Sequence, residues 1–235
     1  MKQYVKKFLL RYPRVYDVVL QVYKQTWWRY KQHKANKDFQ ANANEVFGKL
    51  LQVMQELDLV WWIEYGTLLG AVRENDFLSH DVDIDIGIFL DTYSVDIEQI
   101  FIKYGFKKTR SFLVDDGVFA REETYEYAGV GVDIFYFKVL QDKLIGYGFR
   151  AKDGLSPAHT IQKYGGLMVR EITFPYSGFT EYEFKNFNVN IPKDFDAHLS
   201  AFYGNWREKN TNWNPYTMAQ NVVYLENKVA KYYEY

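Results

Sequence analysis

The chain predicts an α/β (α+β) fold, a mixed sheet flanked by helices with a basic helical extension at its N-terminus. Three observations carry that expectation. Short helical patterns alternate with many strand-like runs, several of them joined by hairpin-length turns. Residues 81–88 alternate strictly, with Asp81, Asp83 and Asp85 interleaved by Val82, Ile84, Ile86 and Ile88. On a strand that period puts the acids on one face and the aliphatics on the other. Finally, the charge is unevenly spread: residues 1–37 carry +9 and the remainder −10, so a net charge of −1 hides a basic head on an acidic body.

At 235 residues the chain is long enough for one substantial core with appended helices. There are no cysteines, which excludes disulfides, thiolate metal sites and a cysteine nucleophile. The opening residues are basic without a long apolar core, so they do not read as a secretory signal. No apolar run approaches the ~18 residues of a membrane span. These features together lead to an expectation of a cytoplasmic protein, and the acidic body gives no expectation of nucleic-acid binding. The chain divides into a head (1–37), a main domain (45–210) and a C-terminal tail (211–235).

In the head, Val5, Phe8, Leu9 and Tyr12, then Val15, Tyr16, Val19, Tyr23 and Trp27, recur at three- and four-residue steps, with Pro13 expected to interrupt or kink the helix. Such a basic amphipathic helix either rests on an anionic membrane surface, with Trp27 and Trp28 at the interface, or packs on the domain. Residues 34–45 are polar and aperiodic and read as a linker. A helix is expected from Glu45 to Leu57, and a buried strand over 59–65. A helix should follow over 67–73, with Thr67 near its N-cap. After the acidic strand, Asp91 is placed to cap a helix that ends before Gly105. Strands are expected over 106–112, 118–127, 130–139, 143–149, 167–174 and 182–191, with turns at 115–117 and 141–142. Residues 151–166 show no period. A short helix opens at 192–194 and stops at Gly204, and the tail holds one apolar patch, 222–225.

Clustered carboxylates repel one another unless a cation sits among them, so the acidic strand points to a metal. A third acid is offered by Asp133, isolated in the apolar run 130–139. Its competing explanation is a bulge cap or a pair with Arg or Lys. Oxygen-only ligands favour Mg²⁺ or Mn²⁺ over zinc. A calcium loop of the EF-hand kind fails, because Ile86 and Thr92 stand where it needs Gly and Glu. Gly66 and Thr67, at a strand-to-helix turn, suit a phosphate, and Arg73 and His80 are further candidates for phosphate contact.

At these residues the chain resembles the LicD/fukutin family of phosphotransferases, a branch of the nucleotidyltransferase-fold superfamily. The matching pieces are Tyr65-Gly-Thr-Leu-Leu-Gly-Ala-Val-Arg73, Asp81-Val-Asp-Ile-Asp85 with Gly87, Val132-Asp-Ile-Phe135, and Val189-Asn-Ile-Pro192 followed by Phe202-Tyr-Gly-Asn-Trp206. They resemble the fukutin side more than the phosphocholine transferases. Many members have Trp-Asp-Asp-Asp-hydrophobic-Asp where this chain has His80-Asp-Val-Asp-Ile-Asp85, so an aromatic and one acid are replaced. The resemblance implies a nucleotidyltransferase-like mixed sheet and transfer of a phospho-alcohol from a CDP-linked donor to a sugar hydroxyl on a glycan. It further implies metal ligation by Asp83 and Asp85, and a third-ligand or proton-accepting role for Asp133. The other functions open to the same residues are nucleotide transfer to a small molecule or RNA, and a non-catalytic role in binding a membrane or partner.

Overall fold

The computed structural model describes residues 13–210 and 212–235, with side chains from Thr26 onward except Trp28 and Thr211. The apolar pattern expected before Trp27, and Trp28 itself, lie outside the described side chains.

Helix α1 spans Pro13–Leu57 among the described residues. Residues 34–45, expected as a linker, are helical. Phe39 and Ala43 continue into Val46, Phe47, Leu50, Val53 and Met54 at three- and four-residue steps, and all seven are buried. Two of the polar residues of this segment have partners on the body: Asn36 Nδ2 donates to the Asp81 carbonyl at 2.8 Å, and Asn42 Nδ2 to that of Ala128 at 2.8 Å. Side-chain hydrogen bonds to distant loops are thus what made the segment look aperiodic.

Strand β1 (Trp61–Ile63) leads into helix α2 (Tyr65–Glu74). Glu64, not Thr67, caps α2, its carboxylate accepting from Tyr65 N–H at 3.2 Å. Strand β2 (Asp83–Phe89) follows, then a 3₁₀ turn over Leu90–Thr92 and helix α3 (Asp96–Lys103). Asp91 belongs to that turn and caps nothing in α3, whose N-cap is Val95. Strands β3 (Lys107–Val114), β4 (Ala120–Tyr127), β5 (Val130–Leu140) and β6 (Lys143–Arg150) run through the expected turns.

Helix α4 (Pro157–Tyr164) occupies the stretch expected to be irregular. Ser156 caps it, and Gly165 ends it in the left-handed region. Strand β7 (Leu167–Pro175) comes next. The single strand expected over 182–191 is a hairpin of β8 (Phe179–Phe184) and β9 (Phe187–Pro192), turning at Lys185 and Asn186, both at positive φ. A turn with two positive φ values normally announces itself by glycine, and here there is none. Helix α5 (Phe195–Tyr203) starts at Asp194, as expected, and β10 (Val222–Glu234) far exceeds the expected apolar patch.

The main sheet has the order β1-β2-β5-β4-β3-β10-β7-β6, and β5 pairs with β6 as well. Six strands, β5-β4-β3-β10-β7-β6, therefore close on themselves, and β2 and β1 extend them from β5. Among the described residues only β2 and β5 pair in parallel; every other pairing is antiparallel. The largest core cluster brings the buried stripe of α1 together with Ile84, Ile86, Ile88, Val132 and Ile134. Those aliphatics hold one face of β2 and β5 against the core, and the alternation then turns the acids of the same strands the other way. Among the described residues no helix is long and apolar enough to cross a membrane.

Candidate active site

Parallel pairing of β2 and β5 sets Asp85 directly beside Asp133. Asp83, Asp85 and Asp133 each offer an oxygen, and these oxygens lie within 4.8 Å of one another. The row continues in register across the antiparallel strands, from Asp133 to Thr124 on β4 and from Thr124 to Arg110 on β3. Thr124 Oγ1 donates to Asp133 Oδ1 at 2.6 Å, and Arg110 Nη2 donates to Asp133 Oδ2 at 2.8 Å. Asp133 thus has the arginine partner that was its competing explanation, and it belongs to the acidic cluster as well.

Gly66 and Thr67 hold Asp85 from the start of α2. The Gly66 N–H donates to Asp85 Oδ2 at 3.0 Å, and the Asp85 N–H donates to Thr67 Oγ1 at 2.9 Å. Both groups expected to meet a phosphate are therefore engaged in placing a carboxylate. A side chain at 66 would put its Cβ 3.3 Å from Asp85 Oδ2 and 3.4 Å from Asp81 Oδ1, so glycine is what lets α2 begin this close. Tyr65 enters the helix at a φ of 42°, a left-handed conformation that is costly for a large residue. Its ring is held between Phe135 and Phe202 at centroid distances of 4.7 and 5.1 Å.

Burial, and next to it the charges of Asp133 and Asp81, raise the Asp83 carboxyl to about 7. Burial and then Asp83 and Asp133 hold Asp85 well above its ordinary range. Asp81 is raised to about 7, mainly by burial, and its Oδ2 is buried without a hydrogen-bond partner. Glu122, from β4, is pushed up to about 8 by burial and by Asp133. Acids that are this costly to ionise together, with oxygen donors converging within one coordination sphere, fit a hard divalent cation.

The cluster opens into a cavity of about 500 Å³. Its lining includes Asp81, Asp83, Asp85, Asp133, Glu122 and Arg110, together with Tyr147, Gly148, Arg170, Phe202, Trp213 and Tyr216. A larger cavity, about 750 Å³, lies beside Tyr93 and Arg121. It includes none of the three clustered acids, so chemistry rather than size selects the site. Arg73 and His80 do not reach the cavity. Arg73 donates to the Trp206 carbonyl at 3.2 Å and pairs with Glu74 at 2.9 Å, tying α2 to the segment after α5. His80 is exposed on the loop before β2. Sequence reasoning missed Arg110, Glu122 and Arg170, because their only shared signal is strand register across segments far apart in the chain.

Fold and site together define a mixed-sheet domain with a carboxylate cluster set on neighbouring parallel strands. A family model described as LicD/FKTN/FKRP, nucleotidyltransferase domain, matches residues 58–194, and the chain belongs to that family. A mouse protein named ribitol-5-phosphate transferase FKTN is 26% identical over 187 residues, which cover 78% of this chain and 37% of the mouse protein. Its human counterpart is 26% identical over 179 residues, 75% of this chain and 35% of its own length. An uncharacterized protein of Rickettsia typhi is 22% identical over 209 residues, 85% of this chain and 60% of its own. The chain spans about a third of the length of these fukutin relatives.

Proposed function

We propose that the protein is a phosphotransferase that moves a phospho-alcohol from a CDP-linked donor to a sugar hydroxyl of a glycan or its precursor. The observation that carries this reading is the convergence of Asp83, Asp85 and Asp133 within 4.8 Å in the lining of one cavity, in a chain of the LicD/FKTN/FKRP family. The name ribitol-5-phosphate transferase, borne by the fukutin relatives, favours an alditol phosphate over phosphocholine as the transferred group.

Asp83, Asp85 and Asp133 would hold Mg²⁺ or Mn²⁺. Such a cation, when bound, neutralises charge on the phosphate oxygens and steadies the leaving group. Asp85 is set in place by Gly66 and Thr67, and Asp133 by Thr124 and Arg110, so neither needs to reorganise as charge develops. In the transfer, the acceptor hydroxyl oxygen forms a bond to the phosphorus that carries the alcohol. The bond from that phosphorus to the bridging oxygen breaks, CMP leaves, and the hydroxyl proton passes to a carboxylate. Asp81 is the acid with a free buried oxygen to take it. The head would bring the enzyme to an anionic membrane surface at the cytoplasmic face.

Asp85→Asn should abolish CMP release from CDP-ribitol and weaken Mn²⁺ binding by calorimetry, with the thermal melt retained. Wild-type turnover in that variant would overturn the assignment. The family model's description also names nucleotidyltransfer, in which the same cluster would act on an α-phosphate. Pyrophosphate released from CTP or ATP, with no CMP from CDP-linked donors, would establish that reaction instead.

A further inference from the structure

Arg170, on β7, is 5% exposed and lines the same cavity as the carboxylates. The neighbouring cations are paired: Arg110 with Asp133, Lys108 and Arg121 with Glu123, Arg150 with Asp153. Arg170 has no carboxylate within ion-pair distance among the described residues. Its Nη1 donates to the Pro215 carbonyl at 3.0 Å, and its guanidinium lies over the Tyr216 ring at 4.6 Å. Its Nε is buried with no partner. Tyr65 Oη, on the same cavity, is also buried with no partner. Glu122 feels the charge of Arg170 without pairing with it; burying a guanidinium with no ion pair is expensive, and leaving two donors unused adds to the cost.

The unused part of Arg170 has a shape. With Nη1 committed to Pro215 and one face of the guanidinium against Tyr216, the Nε–Nη2 edge remains, a planar fork that matches two oxygens of one phosphate. Its register partner on β6 is Gly148. A Cβ there would stand 3.1 Å from Arg170 Nη2, so the glycine leaves that edge open.

We propose that Arg170 and Tyr65 form an anion seat facing the acidic cluster, and that it takes the phosphoryl oxygens of a diphosphate. The identification of that diphosphate as the donor's rests on the phosphotransfer reading above. The seat divides the labour of the cavity. The carboxylates meet the substrate only through a metal cation, whereas Arg170 binds the anion directly and orients it toward that cation. The substrate charge is thus gripped from two sides, as positioning of an in-line transfer requires.

The test uses inorganic pyrophosphate as the probe and calorimetry of the full chain, with Mn²⁺ present. Arg170→Gln should weaken pyrophosphate binding by about tenfold or more, the scale of a lost charge-assisted hydrogen-bonded pair. Mn²⁺ binding without pyrophosphate, and the melting temperature, should match the wild type. Arg170→Lys, which keeps the charge and loses the fork, should fall between, and Tyr65→Phe should show a smaller loss than Arg170→Gln. Unchanged pyrophosphate affinity in Arg170→Gln would overturn the proposal. A parallel loss of Mn²⁺ binding and melting temperature would do so as well, since it would make Arg170 a brace for Pro215 and nothing more. Failure of the wild type to bind pyrophosphate would also remove the seat. Turnover of CDP-linked donors separates the two ideas. Arg170-dependent pyrophosphate binding without any turnover leaves the seat and removes the transfer reading; turnover indifferent to Arg170→Gln removes the seat and leaves the transfer reading.

Discussion

Four aspartates crowd one side of the cavity, and their hydrogen bonds give them different work. Asp85 accepts from the Gly66 N–H, and both oxygens of Asp133 accept, one from Thr124 and one from Arg110. Asp81 is held through its backbone instead: its N–H donates to the Leu78 carbonyl at 3.1 Å, and its carbonyl accepts from Asn36. The side chain is left with a buried oxygen that no protein donor meets. A carboxylate whose position is fixed by its main chain and whose oxygen is free suits proton transfer better than ligation. Asp81→Asn keeps the shape and removes the basic oxygen. It should lower turnover by about 10²- to 10⁴-fold, the range of general-base catalysis, while Mn²⁺ affinity stays close to the wild-type value. If affinity for Mn²⁺ falls in step with turnover, Asp81 is a fourth ligand and the proton goes elsewhere.

At the scale of elements, β2 is the piece on which site and core both depend, and Gly87 shows how tightly it is built. Gly87 is the register partner of Trp62 on β1, and a Cβ there would lie 2.2 Å from Trp62 Cε2. The indole has nowhere easy to go, because its Nε1 donates to Glu64 Oε2 at 2.6 Å and Glu64 caps α2. Gly87→Ala should therefore cost about 1–3 kcal/mol, the usual penalty of overpacking. Gly131→Ala on the adjacent strand is the control. Its Cβ would meet Asp83 Cβ at 3.7 Å, an ordinary contact, so its effect should be neutral or slightly stabilising. Equal losses in chemical denaturation of the two variants would show that Trp62 contact is not the cause. The same strand explains what the sequence could and could not disclose. Asp83 and Asp85 alternate with aliphatics inside one short segment, so their common face was visible from period alone. Asp133 stood out as an acid in an apolar strand. Arg110, Thr124 and Glu122 joined them through antiparallel register, which depends on hairpins rather than on any local pattern. Helix α1 was broken wrongly at 34–45 because asparagines and glutamines bonded to distant carbonyls look like solvated ones. Strand β10 was reduced to its first residues because its partners, β3 and β7, are distant in sequence and its own pattern is interrupted by a register shift between Leu225 and Val229.

For the whole molecule, the uneven charge and the length of α1 belong together. At 45 residues the helix is about 67 Å long at 1.5 Å per residue, longer than a domain of this size needs for support. Among its described side chains the first buried one is Phe39; nearer the N-terminus, Trp27 and Tyr30 are 49% and 64% exposed, and Lys31 sits over the Trp27 ring at 3.9 Å. An exposed aromatic with a cation beside it is what a helix lying at a lipid headgroup layer presents. The head carries +9 against −10 on the rest of the chain, so an anionic surface would attract one end and repel the other, orienting the molecule as it docks. Each Lys or Arg close to such a surface contributes on the order of 1 kcal/mol at low salt. Gln at Lys2, Lys6, Lys7, Arg11, Arg14 and Lys24 should therefore cut binding to phosphatidylserine vesicles by several orders of magnitude. Those substitutions spare Asn36 and Gln40, which hold the loop before β2, so turnover on a soluble acceptor should persist. Raising the salt from 0.1 M to 1 M shortens the screening length from about 10 Å to about 3 Å and should release the wild type from the same vesicles. Vesicle binding that survives both the substitutions and the salt would remove the head as the membrane contact and direct attention to the apolar side chains exposed on the body.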